Sequence, residues 1–251
     1  MLAVRLHPDG LKVEQIPMPA PKEGEVLVRV HAAALTRDEL RWPTDRLPAI
    51  PSYELSGVNV ESGEEVYALT PFDRDGVAAE YAVVPASVLA PRPAALSHVE
   101  AAAVPMGGLS SWQGLFVHGQ LKRGERVLVT GPSGGVGHLA IQVARSVGAE
   151  VVTDGPADLV FDTVGGTTPA ADRVVTVAAE TLGATFFIVE PNREQLVELA
   201  RLADRGELRP MIDSTFPLAR APEAFDRLAA RGKHGKVVLE IAANASATHS
   251  T

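Results

Sequence analysis

The chain has 251 residues, 46% of them hydrophobic, which is enough to bury the core of one large domain or of two modest ones. Its net charge of −8 argues against a nucleic-acid-binding surface, because binding a phosphate backbone requires clustered positive charge. It contains no cysteine, its first residues do not resemble a signal peptide, and no stretch reaches the ~18 apolar residues of a membrane span. We therefore expect a cytoplasmic protein that binds a small molecule and neither a nucleic acid nor a membrane.

The first 95 residues or so are rich in proline and glycine and contain short runs of alternating polar and apolar residues. Glu25–Val30, Glu65–Leu69 and Glu80–Val84 are examples. This pattern predicts strands of a mostly antiparallel, turn-rich unit.

The pattern changes at Ser97, which stands three residues before Glu100 with the spacing of a helix capping box. A helix is expected after it and another around Leu109–Val117, and from there strands and helices alternate, which predicts a parallel sheet. The last run, Lys236–Ile241, is predicted to return as a strand to the first unit, and the small polar segment after Asn244 is predicted to be disordered. The other predicted strands are Leu159–Phe161, Val174–Val177 and Thr185–Val189, and the other predicted helices are Arg193–Arg205 and Ala221–Ala230.

The most informative segment runs from Val127 to Gly148, where a β-branched strand passes through closely spaced glycines into an amphipathic helix. Gly131 and Gly134 permit a tight turn and a close approach of the backbone to a diphosphate, and Gly137 lets the helix pack against the strand that precedes it. The first turn of the helix offers free N–H groups to an anion. The alternative is a glycine-rich turn without a ligand.

Several motifs follow one another along nearly the whole chain: Pro85–Pro93, Ala101–Gln113, Gly124–Gly137, Phe161–Gly166 and Gly235–Leu239. In this order they resemble a zinc-free medium-chain dehydrogenase/reductase of the quinone oxidoreductase group. The resemblance implies an α/β protein with a GroES-like, β-rich substrate domain (1–104 and 207–251) and an inserted, shortened Rossmann domain (105–206). It further implies NADPH-dependent reduction of an activated double bond or quinone, and a homodimer joined through the edge of the cofactor sheet at Phe186–Val189.

A metal site is not expected. The zinc enzymes of the wider family use cysteine and histidine ligands, whereas this chain has no thiol, and Tyr53 stands where those relatives carry a histidine before the glutamate. The remaining histidines are not paired at ligand spacing and are predicted to be surface or helix-end residues. They include His31, His98, His118, His138 and His234.

Without a metal, the acceptor must itself spread the negative charge that hydride addition creates, which favours a conjugated enone, enoyl or quinone acceptor. The candidate catalytic residues are Thr36, Asp38 and Tyr53, whose hydroxyl can donate to a substrate oxygen. The alternatives are that Thr36 and Asp38 cap a helix and that Tyr53 is a packing residue. The candidate cofactor-binding residues are Ser110, which the resemblance places near the nicotinamide and phosphate, together with Gly131, Ser133, Gly134, Gly135, Val136, Gly137, Asp154, Thr163 and Val164.

The chain departs from the family after the strand Glu150–Asp154, which reaches Leu159 through only four residues. Because a parallel crossover needs at least ~10 residues, the local topology is expected to be either a tight hairpin or a bare link across the first strand. The missing piece would wall the adenosine pocket and carry the groups that read a 2′-phosphate. Asp154 favours NADH, whereas the resemblance favours NADPH.

Two hypotheses of function remain. The first is a NAD(P)H-dependent, zinc-independent oxidoreductase that binds its cofactor weakly, with NADP as the nominal cofactor and NAD close behind. The second is a cofactor-free derivative of the family that binds or rearranges a small molecule in the interdomain cleft, as a cyclase, isomerase or accessory protein. The sequence does not identify the acceptor.

Overall fold

A computed structural model describes residues 1–42, 46–166 and 171–241 of the chain. The predicted segment after Asn244 lies outside the described residues. The strands are β1 (Leu2–His7), β2 (Gly10–Gln15), β3 (Glu25–Leu35), β4 (Glu54–Asn59), β5 (Glu65–Leu69), β6 (Tyr81–Pro85), β7 (Ala90–Pro91), β8 (Arg126–Val129), β9 (Glu150–Val152), β10 (Ala157–Asp162), β11 (Ala171–Thr176), β12 (Thr185–Phe186), β13 (Ile212–Pro217) and β14 (Lys236–Glu240). The α-helices are α1 (His98–Ala102), α2 (Pro105–Trp112), α3 (Gly137–Ser146), α4 (Arg193–Asp204) and α5 (Ala221–Ala229).

Two large sheets organise the molecule, and β1 and β2 form a separate antiparallel pair. The mixed sheet has the order β13-β14-β3-β4-β5-β7, with β6 pairing β3, and the parallel sheet has the order β12-β11-β10-β8-β9. β14 pairs antiparallel with β3, so the segment Lys236–Glu240 returns to the first unit, as predicted. One large cluster of buried apolar side chains lies against the mixed sheet, and the other joins the parallel sheet and its helices to β5 and β7 of the mixed sheet. The α/β fold class is therefore confirmed, while the domain boundaries stay a prediction.

The first helices form largely where the sequence predicts them. Ser97 caps α1, because its side chain accepts the N–H of Glu100 and the Glu100 side chain accepts the N–H of Ser97. The helix predicted at Leu109–Val117 begins earlier, with a proline in the first turn of α2, and continues as a π-helical turn over Gln113–His118. Of the helices in the described ranges, none has the length and apolar character needed to cross a bilayer.

The short link after β9 is a bare crossing and not a hairpin. β9 and β10 both pair parallel with β8, on opposite sides of it, so Thr153–Pro156 must pass across β8 from one neighbour to the other. All four linking residues are exposed. A hairpin would place β9 and β10 side by side and antiparallel, and the hydrogen-bond register excludes this.

The strand predicted at Thr185–Val189 forms only in part. β12 is limited to Thr185–Phe186, which pair with Val175–Thr176 of β11 at the edge of the parallel sheet. The next residues leave the sheet and lead into α4.

The prediction of surface or helix-end positions is wrong for one histidine. His31 lies inside β3, is 8% exposed, and stacks on His98 with a ring-centroid distance of 4.2 Å. His98 and His138 lie at the first turns of α1 and α3, as the prediction allows, but both are buried. Burial, followed by the neighbouring His31, lowers the pKa of His98 to about 4. Burial also lowers the pKa of His31, so both rings are neutral at neutral pH.

Candidate active site

The glycine turn joins β8 to α3 and is shaped by two close approaches. Gly131 has a φ of +61°, and a Cβ there would lie 2.6 Å from a methyl carbon of Val164. A Cβ on Gly137 would overlap the carbonyl oxygen of Gly131. Gly137 is therefore needed because the start of α3 packs on the glycine turn itself, and not only on β8.

The turn leaves backbone donors free. In the part of the chain that the structure describes, the N–H groups of Gly135 and Val136 donate to no protein acceptor. Both residues lie at the start of α3, whose dipole favours negative charge at that end. The arrangement fits the diphosphate of a dinucleotide, since no side chain projects from Gly134 or Gly135 into the approach.

Asp162 orders the loop on the other side of the turn. It accepts hydrogen bonds from the hydroxyl groups of Thr130 (2.6 Å) and Thr176 (2.9 Å) and from the N–H groups of Val164 and Gly165. Burial opposes its ionisation, but these hydrogen bonds outweigh that effect and hold the pKa of Asp162 below its usual value. The carboxylate thereby fixes the loop that carries the predicted cofactor residues Thr163 and Val164.

A cavity of about 470 Å³ lies between the glycine turn and the mixed sheet. Its charged lining residues are Arg37, Asp38, Lys233 and Lys236, so cations outnumber anions there although the whole chain carries a net charge of −8. This local excess of positive charge favours an anionic ligand.

The structure brings most of the predicted residues to this cavity. Tyr53 lies behind Trp42, which lines the cavity and stacks on the Tyr53 ring at a centroid distance of 5.8 Å; burial raises the pKa of Tyr53. Ser110 is buried in α2 and Asp154 is exposed after β9, and neither lines the cavity. The predicted residues that line it are Thr36, Asp38, Gly131, Ser133, Gly134, Gly135, Val136, Thr163 and Val164.

Helix capping by Thr36 or Asp38 is not seen. Asp38 adopts a left-handed conformation before a short 3₁₀ turn, makes no capping hydrogen bond, and forms exposed ion pairs with Arg37 and Arg41. The Thr36 hydroxyl donates to Glu54 instead, at 3.2 Å.

A buried polar cluster that the sequence analysis missed forms one wall of the cavity. Lys236 makes an ion pair with Glu54, and both side chains are almost completely buried. Lys236 also donates to the Thr36 hydroxyl (3.3 Å), and Glu54 accepts the N–H of Met106 (2.8 Å). Burial raises the pKa of Glu54, and the Lys236 ammonium opposes that shift.

Glu39 lies beside this cluster. One of its carboxyl oxygens accepts the N–H of Thr36, and the other has no hydrogen-bond partner among the described residues. Burial raises the pKa of Glu39 to about 8, against the attraction of Lys236. The carboxyl is thus largely protonated at neutral pH.

One sequence signal pointed to this cluster. Lys236 comes directly before the apolar residues Val237–Leu239 in a run that is predicted to be a strand, and Glu54 is followed by Leu55 in a segment with no other charged residue up to Val60. A charged residue in such a run indicates a buried partner, but the sequence does not show which one.

Comparison with known proteins supports the architecture. A family model described as zinc-binding dehydrogenase matches residues 140–239. A probable zinc-binding mitochondrial oxidoreductase of Arthroderma benhamiae is 30% identical, and the alignment covers 92% of this chain and 93% of the relative. The chain belongs to the zinc-binding dehydrogenase family of the medium-chain dehydrogenase/reductase superfamily. That alignment spans 308 positions against the 251 residues of this chain, which agrees with a shortened member of the family.

Other members of the family show comparable similarity. The NADPH-dependent alkenal/one oxidoreductase of Arabidopsis thaliana chloroplasts is 29% identical over 92% of this chain and 76% of its own length. Among solved structures, the Thermus thermophilus quinone oxidoreductase, also determined with NADPH, has a TM-score of 0.81 and 30% identity over 96% of this chain and all of its own.

The zinc implied by the family description does not fit the side chains present. The chain has no cysteine, and the described residues contain no group of three histidine or acidic side chains that could hold a metal ion. A nicotinamide dinucleotide does fit, because the free N–H groups, the bare glycines and the nearby cations provide what a diphosphate requires.

Proposed function

We propose that this chain is a NAD(P)H-dependent, zinc-independent oxidoreductase that reduces a conjugated enone, enoyl or quinone acceptor. One observation carries the proposal: the glycine turn and the Lys236–Thr36 pair line the same cavity. The names of the Arabidopsis and Thermus relatives agree with this chemistry. A reduced nicotinamide cofactor supplies the hydride when it is bound.

The residues of the chain orient the acceptor and neutralise charge. An ammonium has three donor N–H groups, and the acceptors of Lys236 among the described residues are Glu54 and Thr36. A third N–H is therefore available to the oxygen on which negative charge develops when the acceptor is reduced. Glu54 holds the ammonium in place.

Residues of the mixed sheet and the ring of Trp42 form the rest of the cavity wall. Trp42 and Met106 provide apolar lining next to the polar wall, which suits a conjugated, partly apolar acceptor. Trp42 is itself held by Tyr53 and by the edge of Phe72.

The test is turnover of NADPH and NADH with a panel of enones and quinones. Turnover is measured as the loss of the absorbance of the reduced nicotinamide. We expect turnover with at least one acceptor, a lower kcat for Lys236→Met, and an unchanged kcat for Lys122→Met, which removes an exposed lysine outside the cavity. Absence of both turnover and cofactor binding would reject the proposal.

Such a negative result would favour the second candidate, a cofactor-free derivative that binds or rearranges a small molecule in the same cavity. The observation behind this alternative is the short link at Thr153–Pro156, which leaves a conventional adenosine pocket without one wall. Binding of an enone or quinone without any cofactor would then be the expected property. Location in the cytoplasm stays a prediction.

A further inference from the structure

The parallel sheet gives the glycine turn two distinct sides. β9 lies on one side of β8, and β10 and β11 lie on the other. In a dinucleotide site the diphosphate lies at the helix start and the adenosine ribose lies toward the end of the second strand. β9 is that second strand here, so the nicotinamide half belongs on the side of β10 and β11.

The cavity extends to the β10 and β11 side only. Thr163 and Val164 follow β10, Val177 and Ala178 follow β11, and all four line the cavity. No residue of 150–156, a segment that the structure describes completely, contributes to the lining. The cavity therefore does not extend to the adenosine side of the turn, where the crossing residues Thr153–Pro156 are exposed.

The crossing after β9 explains this one-sided shape. A helix would normally follow the second strand and wall the adenosine pocket, but here four exposed residues pass directly over β8. Gly155 passes close to the Arg126 guanidinium, which forms an ion pair with Glu150 at 3.7 Å. Arg126 and Glu150 are the first residues of β8 and β9, at the edge of the sheet opposite the glycine turn. The one charged residue of the crossing itself is Asp154, so the crossing offers no cation to a 2′-phosphate.

We propose that the chain recognises reduced nicotinamide cofactors through their mononucleotide half and leaves the adenosine half in solvent. This inference rests on the proposed function and specifies its cofactor class. Reduced nicotinamide mononucleotide is then a sufficient hydride donor, and NADH and NADPH bind equally. An exposed adenosine contributes little affinity, because it buries little surface and orders no protein group.

The experiment measures binding and not only turnover. The full chain is titrated with reduced nicotinamide mononucleotide, NADH and NADPH, using the fluorescence of the reduced nicotinamide, and adenosine 2′,5′-bisphosphate is added as a competitor. We expect the three Kd values to agree within about tenfold and the competitor to displace nothing. A Kd for either dinucleotide about a hundredfold or more below that of the mononucleotide, or displacement by the bisphosphate, would overturn the inference.

A failure of the proposed function can be distinguished from a failure of this inference alone. If none of the three donors binds, the proposed function is lost and the inference with it. If only the dinucleotides bind, the proposed function stands and the inference alone is rejected.

A pair of matched variants tests the same point by placing one bulky side chain on either side of the turn. Ala178 and Asp154 are both exposed, so Ala178→Trp and Asp154→Trp are compatible with folding, which thermal unfolding checks. We expect Ala178→Trp to raise the Kd of each of the three hydride donors about tenfold or more. We expect Asp154→Trp to change each Kd less than about twofold. Weaker dinucleotide binding in Asp154→Trp, with mononucleotide binding unchanged, would contradict the inference.

Discussion

The ring of His138 donates a hydrogen bond from Nδ1 to the carbonyl oxygen of Gly134, at 2.6 Å. Its Nε2 accepts the backbone N–H of Met211 at 2.9 Å, and the carbonyl oxygen of Met211 accepts the N–H of Lys236. One neutral imidazole thus ties the glycine turn to the segment that leads into the mixed sheet. Burial, despite the opposing hydrogen bond to Gly134, lowers the pKa of His138 and favours the neutral form that both bonds require.

We predict that His138→Phe weakens cofactor binding by about tenfold, because the loss of two hydrogen bonds at a buried position costs on the order of 1–3 kcal/mol and loosens the turn. His138 is a positioning residue, so KM for the cofactor should rise while kcat at saturating cofactor changes little. His138→Asn, which keeps a donor, should recover part of the affinity. His234→Asn, at an exposed site, serves as the control. Equal Kd values for wild type and His138→Phe would refute the prediction.

The glycines of the turn should differ sharply in their tolerance of a methyl group. A Cβ on Gly137 overlaps the Gly131 carbonyl oxygen, whereas the nearest atom to a Cβ on Gly134 is that same oxygen at 3.2 Å. We expect Gly137→Ala to lower the free energy of unfolding by about 2 kcal/mol or more and to abolish cofactor binding, and Gly134→Ala to cost less than about 1 kcal/mol. Urea unfolding and fluorescence titration measure both quantities. Similar effects of the two variants would show that the turn relaxes freely.

The Glu54–Lys236 pair should behave as a unit. Lys236→Met leaves the Glu54 carboxylate buried without its counter-charge, which costs about 3–5 kcal/mol, whereas the double variant Glu54→Gln/Lys236→Met leaves no buried charge at either position. We therefore expect the double variant to be more stable than Lys236→Met alone. Denaturant unfolding of the wild type, both single variants and the double variant gives the coupling energy. Additive effects of the two substitutions would contradict this account.

Glu39 should make the protein less stable as the pH rises. Its pKa is about 8 in the folded protein and near 4.5 when exposed, so between these values the native state binds one proton more than the unfolded state. The free energy of unfolding then decreases by up to about 1.4 kcal/mol per pH unit in that window. Glu39→Gln removes this contribution, and Glu61→Gln, at an exposed site, retains it. Parallel stability–pH curves for the wild type and Glu39→Gln would exclude the assignment.

We propose that the chain forms a homodimer through the β12 edge. β12 is the last strand of the parallel sheet, and the large apolar side chains beside it, Leu182 and Ile188, are strongly exposed. Sedimentation velocity should show a dimer for the wild type and a monomer for Ile188→Asp. Val60→Asp, which also replaces an exposed apolar residue but lies after β4, should remain dimeric. A monomeric wild type would rule out a dimer interface at the β12 edge.

Patterns within a short stretch of sequence predicted most of the elements and part of the site. The period of apolar residues indicated α3, the Ser97–Glu100 spacing indicated the start of α1, and the glycine spacing indicated the turn, because each depends on contacts between residues a few positions apart. The thirteen residues singled out for catalysis and cofactor binding include nine that line the cavity. The other four, Tyr53, Ser110, Gly137 and Asp154, do not, because the cavity is defined by the packing of the two sheets. Ser110 is buried within α2, Asp154 is exposed in the link after β9, Tyr53 packs on Trp42, and Gly137 packs on the Gly131 carbonyl.

The amino-acid sequence by itself determined the alternation of strands and helices, the glycine turn and the absence of thiol ligands, all of which follow from residue type and local spacing. The tertiary structure alone decided that Thr153–Pro156 cross β8 as a bare link, that Lys236 faces Glu54, and that His138 bridges Gly134 and Met211. The physical reason is distance along the chain: Glu54 and Lys236 are 182 positions apart. Such a buried partner is chosen by the packing of whole sheets, and not by any pattern that neighbouring residues carry.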